Sequence, residues 1–191
     1  ILKGVERTNS RIWVVSRDYR VLALAGSLKR SDVEPPSLLQ RIIDQALPTL
    51  ERSVYAPEEG LRKGAYVLAD LGEGKPRIIL MASGSEVHIT LDAARELEKI
   101  GIGARVVSFP SWELFDRQDE AYRKGVLPPE ISRRAVVEAG ISMGWERYAG
   151  HGALYSTLER FGASARAGVR AERFGFTSGS IVEKVRKYLA R

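Results

Sequence analysis

Two histidines, His88 and His151, and the absence of cysteine set the range of chemistry open to this chain. Without cysteine there is no thiolate metal site, disulfide scaffold or cysteine nucleophile, and neither histidine has a partner at metal-ligand spacing. His88 falls in the first turn of an expected helix, where a surface or helix-dipole contact accounts for it. His151 lies between Gly150 and Gly152, a setting that lets a ligand approach closely and equally suits a mobile turn. Ser83, Gly84 and Ser85 follow an apolar run and precede a helix, the geometry that offers backbone N–H groups to an anion. A phosphate or sulfate is the ligand such a turn would take, with His151 as a further anion-binding candidate. Capping of the helix by Ser85 is the competing reading, because Glu86 places a negative charge in the same turn and the run lacks both the Walker A pattern and the dinucleotide fingerprint. Asp116, Asp119 and Glu120 suit helix capping and a solvated face better than acid–base work. No catalytic, cofactor-binding or metal-binding residue is assigned.

The elements that would position these groups form an α/β pattern from residue 66 onward. Arg77 to Ala82 is a continuous apolar run of strand length, followed by an amphipathic helix with Val87, Leu91, Ala94 and Leu97 on one face. Gly101 ends that helix. Ala104 to Ser108 is the next strand, after which Ser111 and Asp116 are placed to cap two short helices, the second closing at Gly125. Arg134 to Glu138 is a third strand, and helices are expected over about 167–173 and 179–190. Strands joined by such helices imply a mainly parallel sheet with right-handed crossovers. Upstream lie strand-like Arg11 to Ser16 and Arg20 to Ala25, a polar stretch Lys29 to Pro36, a helix-like run Ser37 to Leu47, and a linker or arm containing Pro57 and Gly60. Residues 1–45 form a poorly assigned segment, 46–65 the linker, and 66–191 the α/β domain.

Of the 191 residues, 44% are hydrophobic and 28% charged, values that exclude a disordered or fibrous chain. No apolar run approaches the ~20 residues of a membrane-spanning helix. A chain that opens on Ile1 without Met reads as a fragment. The net charge of +6 and sequence pI near 9.7 invite a nucleic-acid reading. The excess, however, sits in the last 31 residues, where Arg166, Arg170, Arg173, Lys184, Arg186, Lys187 and Arg191 face only Glu172 and Glu183. Spread along two helices, these cations suit solvated faces, and Phe174, Phe176 and Tyr188 have the spacing of core contacts rather than of a base-stacking platform. No nucleic-acid partner and no membrane partner is expected.

Residues 104–130, opening Ala104-Arg-Val-Val-Ser-Phe-Pro-Ser-Trp-Glu-Leu-Phe-Asp-Arg-Gln-Asp119 and closing Leu127-Pro-Pro-Glu130, closely resemble the C-terminal domain of transketolase. Lys63-Gly-Ala-Tyr-Val-Leu68, Ala82-Ser-Gly-Ser-Glu-Val87, Val137-Glu-Ala-Gly140, then Trp145, Tyr148 and Gly150, then Phe161-Gly-Ala-Ser-Ala165 and Phe174-Gly-Phe-Thr177 extend the match in order. The resemblance starts near Ala46-Leu-Pro-Thr-Leu-Glu-Arg52, which is similar to the family's interdomain linker. It implies a three-layer α/β sandwich with a mainly parallel sheet flanked by helices. It also implies a cytoplasmic, homodimeric parent enzyme that uses thiamine diphosphate and Mg or Ca to move a two-carbon ketol unit between sugar phosphates in the pentose phosphate pathway. The parent's cofactor chemistry resides in other domains, so this chain is expected to bind no cofactor and to be a structural and dimerisation module, inactive alone. A free-standing sugar-phosphate-binding module is the alternative. Trp112, Trp145, Tyr148 and Phe161 are interface candidates, with packing inside one chain as the competing reading. Asp44 stands where the family carries an Arg that helps to hold the substrate phosphate, so that role is not transferred. Arg166 replaces a family Pro, and Gly150 and Gly152 are closer together than usual. Residues 1–44 do not align with the end of the family's pyrimidine-binding domain, and an altered remnant of it is the reading left open for them.

Overall fold

Continuous apolar runs become inner strands because a parallel strand is covered on both faces. A computed structural model describes residues 12–15, 21–25, 59–160 and 167–191, and the chain divides into two units, 1–49 and 50–191. In the first, β1 (Ile12–Val15) and β2 (Val21–Ala25) pair antiparallel, Ile12 opposite Ala25, with a register shift between Val14 and Val15. The expected helix over 37–47, the polar stretch 29–36, Asp44, most of the linker, Phe161 and Arg166 lie outside the described residues.

The second unit opens with a short α1 (Glu59–Arg62). A five-stranded sheet follows, built from β3 (Tyr66–Leu71), β4 (Ile78–Ala82), β5 (Ala104–Ser108), β6 (Arg134–Glu138) and β7 (Leu154–Thr157) in the order β3-β5-β4-β6-β7. Strands β5, β4, β6 and β7 are parallel, while β3 runs antiparallel along the edge of β5. All five residues of the central β4 are buried. The chain leaves β4 for β5 on one side and then crosses from β5 back past β4 to β6 on the other, so the strand order reverses at β4. Ala82 lies opposite both Ser108 and Val137, which aligns the carboxyl ends of β4, β5 and β6 along one edge. The apolar pattern alone marks neither β3 nor β7 as a strand.

The helices are α2 (Glu86–Lys99), α3 (Trp112–Asp116), α4 (Glu120–Val126), α5 (Glu146–Ala149), α6 (Ala167–Phe174) and α7 (Ser178–Leu189). One face of the sheet, with Leu80, Val106 and Val137, packs on Leu91 and Leu97 of α2 and on Ile181 and Val185 of α7. The other, with Ile79, Met81, Val107 and Val136, packs on Phe115, Val126, Trp145 and Tyr148. This is the expected three-layer sandwich.

Two expected caps are corrected. Ser85 is itself helical (φ −69°, ψ −22°) and its hydroxyl makes no cap bond; an N-cap side chain reaches the orphan N–H groups from an extended backbone. Asp119, not Asp116, caps α4, its Oδ1 accepting from Tyr122 N at 2.7 Å, and that helix runs one residue past Gly125. Ser111 caps α3 as expected, its Oγ accepting from Leu114 N at 3.3 Å. Gly64 fixes where α3 starts. With φ +84°, it lies so close to this helix that a Cβ there would sit 2.3 Å from Phe115 N, and its carbonyl accepts from Ser111 N at 2.9 Å.

Candidate functional site

The carboxyl ends of β4, β5 and β6 open onto a crevice of about 380 Å³ lined by Ser83, Phe109 to Glu113, Glu138, Gly140, Ile141, Met143 and Trp145. Its position follows from topology, because loops leaving neighbouring parallel strands diverge where the strand order reverses. Trp112 leans on Gly144, a residue with φ +92° whose absent Cβ would lie 2.6 Å from the indole ring. Trp112 and Trp145 meet edge to face at 5.4 Å. Behind them Phe109 packs on Phe115 at 5.0 Å and on Trp145 at 5.4 Å, so the crevice floor is a rigid aromatic cluster.

At the strand-to-helix turn the two candidate serines are already engaged by carboxylates. Ser83 Oγ donates to Glu138 Oε2 at 2.5 Å, and Ser85 Oγ donates to Glu86 Oε1 at 2.9 Å. Burial pushes the Glu138 pKa up, the hydrogen bond from Ser83 pulls it back, and the nearby Glu86 charge pushes it up again. Glu113 is the opposite case, held below the usual carboxylate range by a backbone hydrogen bond and by the Ser111 hydroxyl. Gly84 stays exposed at the tip of the turn. An anion entering here would face two carboxylates, so the local field favours a cation or a neutral hydrogen-bond donor.

His151 is not brought to this turn. It precedes β7 at the amino edge of the sheet, in a groove of about 320 Å³ with Tyr155, Tyr188 and Arg191. Ser83 leaves the carboxyl edge of the parallel β4, so the two candidates stand at opposite edges. Trp145 is 2% exposed and Tyr148 6%, both taken up in this chain's own core, while Trp112 keeps part of its surface on the crevice. The Tyr148 hydroxyl donates to Asp116 Oδ1 at 3.1 Å; burial, then this bond, push its pKa up to about 12. His88 is half-buried in the first turn of α2.

A second crevice, of about 340 Å³, lies beside α3, α4 and the start of β6. Its half-buried Arg134 donates to the carbonyls of Leu127, Pro128, Ile131 and Tyr148. Arg134 therefore ties together the ends of α4 and α5 and leaves little donor capacity for a ligand. Lys184 is similarly internal, donating to Ser156 Oγ at 2.9 Å, and burial lowers its pKa. Among the described residues no group of three or more His, Cys, Asp or Glu could hold a metal ion, and no helix is long and apolar enough to cross a membrane.

Glu138 and Glu113 are the residues sequence reasoning missed. The available signal was the place of Glu138 at the carboxyl end of an expected strand, where α/β sheets gather their ligand-facing groups.

The profile of the transketolase-like TK C-terminal domain family matches residues 64–177. A transketolase from Aquifex aeolicus is 45% identical over 83% of this chain and 22% of its own length. Among solved structures, the transketolase from Leishmania mexicana shares 41% identity with a TM-score of 0.62, over 70% of this chain and 19% of that one. A transketolase variant from Pichia stipitis gives 37% identity and a TM-score of 0.65, over 72% and 19%. The chain thus spans about a fifth of the length of the relatives it matches.

Proposed function

This chain belongs to the transketolase-like C-terminal domain family, and on that footing we propose that it is the last domain of a transketolase, acting as a structural and dimerisation module. The observation that carries the reading is the match over residues 64–177 combined with coverage of only 22% of a full-length relative. In this proposal the remaining domains and a second subunit are the partners, the compartment is cytoplasmic, and the reaction is transfer of a two-carbon ketol unit between sugar phosphates. Thiamine diphosphate with its divalent metal supplies the carbanion chemistry when bound to those other domains. The described residues do not fit that cofactor, because Glu86 and Glu138 flank the turn an anion would use, and no step of the reaction is assigned to them. What this domain contributes is a rigid body with a packed core on each face of its sheet, Trp145 and Tyr148 among its anchors. The rival, a free-standing module holding sugar phosphate at Ser83 to Ser85, meets the same two carboxylates.

The test is the solution mass of the purified chain by light scattering across a concentration series, with and without thiamine diphosphate, Mg²⁺ and a sugar phosphate, together with an assay of ketol transfer. A concentration-independent dimer, unchanged by ligand and without activity, is the expected result. A monomer at every concentration removes the dimerisation role. A ligand-dependent mass or measurable transfer overturns the structural reading.

A further inference from the structure

The crevice at the carboxyl edge of the sheet carries two carboxylates, Glu113 and Glu138, that form no ion pair among the described residues; the opposite charge acting on Glu113 is that of Arg117. Among the described residues, Asp70, Asp92, Asp116, Glu120 and Glu183 each have an Arg or Lys partner, at 2.5 to 2.8 Å. Glu113 and Glu138, like Glu96 and Glu159, have no described Arg or Lys within ion-pair distance: Glu113 takes a backbone hydrogen bond and the Ser111 hydroxyl, and Glu138 the Ser83 hydroxyl. With Oε2 taken by Ser83, Glu138 Oε1 has no hydrogen-bond partner among the described residues and keeps access to solvent. The same crevice is rimmed by the most exposed large apolar side chain described, Met143 at 72%, and by Ile141 at 51%, beside the half-covered ring of Trp112. Exposed apolar groups clustered beside carboxylates that lack an ion-pair partner mark an interaction surface rather than scattered surface residues.

We propose that this crevice docks an arginine side chain presented by a polypeptide segment with apolar neighbours. The guanidinium takes Glu138 and Glu113, its aliphatic stem and planar head lie on Trp112, and the flanking apolar side chains cover Ile141 and Met143. Arginine fits better than lysine, because a planar fork meets a carboxylate with two parallel hydrogen bonds and stacks on an indole face. A polypeptide fits better than a free small cation, because a lone guanidinium would leave Met143 and Ile141 wet. Charge complementarity selects a basic occupant and disfavours an acidic one. The surface is independent of the family reading, since it rests on side chains of this chain alone.

The 191-residue chain is titrated with acetyl-Leu-Arg-Leu-amide, and with the same peptide carrying citrulline, the uncharged isostere, while amide and indole resonances are followed by NMR. Saturable shifts at Trp112, Gly140 and Met143 are expected, with the citrulline peptide weaker by about ten-fold. Glu138→Gln weakens the arginine peptide by about ten-fold and Met143→Ser by about three-fold, with melting temperatures not lowered by more than a few degrees. Glu113→Gln, at an exposed position, serves as the second charge variant if Glu138→Gln fails to fold. Equal binding of the two peptides, or shifts unchanged by the charge variants, overturns the proposal. Binding of free agmatine as tight as that of the peptide overturns the polypeptide occupant and assigns a small cation.

Discussion

At Glu138 burial and the neighbouring Glu86 charge raise the carboxyl pKa, and the Ser83 hydrogen bond only partly offsets them. A carboxyl with a higher pKa in the folded state holds its proton more tightly when folded. Its contribution to stability is therefore complete in acid, below the unfolded value, and is lost as pH rises through the interval up to the folded value. Glu138→Gln is neutral throughout, keeps an acceptor for Ser83, and removes that loss. The variant is expected to melt higher than the parent at pH 7, with the difference shrinking toward zero below about pH 4, where both side chains are uncharged. Melting curves of the two proteins from pH 4 to 8 check this; a parent more stable than the variant at pH 7 contradicts it. This carboxylate also shows why the site was only half legible. Ser83, Gly84 and Ser85 announce a strand-to-helix turn from their own small side chains, but the partner that decides the sign of its field lies 55 residues away in sequence. No local pattern encodes that contact. Trp145 and Tyr148 were recognisable as anchors, yet whether an aromatic anchor serves a core or an interface depends on which rings surround it, and here Phe109 and Phe115 do.

Elements were legible where one physical constraint acts alone. Ile78 to Ala82, Ala104 to Ser108 and Arg134 to Glu138 carry the apolar runs that strands covered on both faces require, and all three are strands at those positions. Leu154 to Thr157 carries no such run. It is a strand because β6 offers it an open edge, on which Leu154 pairs with Ala135 and Thr157 with Glu138, and pairing supplied from outside the segment leaves little mark within it. The two aspartates before α4 show the same limit. Either could cap a helix by type, and they differ by where the preceding turn ends. Asp116 finishes α3 and pairs with Arg147 at 2.6 Å, while Asp119 has the extended backbone (φ −62°, ψ 162°) that a cap needs. Asp119→Ala is accordingly expected to cost about 1 kcal/mol of stability, read from urea unfolding midpoints, and Asp119→Asn to restore most of it. An unchanged midpoint for Asp119→Ala means that α4 is held by its buried face alone.

Across the 50–191 unit the sheet is a wall shared by two cores. Successive residues of β4 point to opposite faces: Ile78, Leu80 and Ala82 enter the core under α2 and α7, and Ile79 and Met81 enter the core built on Phe109, Phe115 and Trp145. Neither layer can lose its packing without exposing one side of a strand the other layer still needs, so the two should melt as one. Leu97→Ala empties a fully buried site on the α2 face and is expected to cost about 3 kcal/mol. The loss should appear equally in the exchange protection of Ile181, in the same core, and in the indole resonance of Trp145, on the far side of the sheet. If instead the α7 signals disappear at lower denaturant than those of Trp145, the two layers are separable and the sheet is not a shared wall.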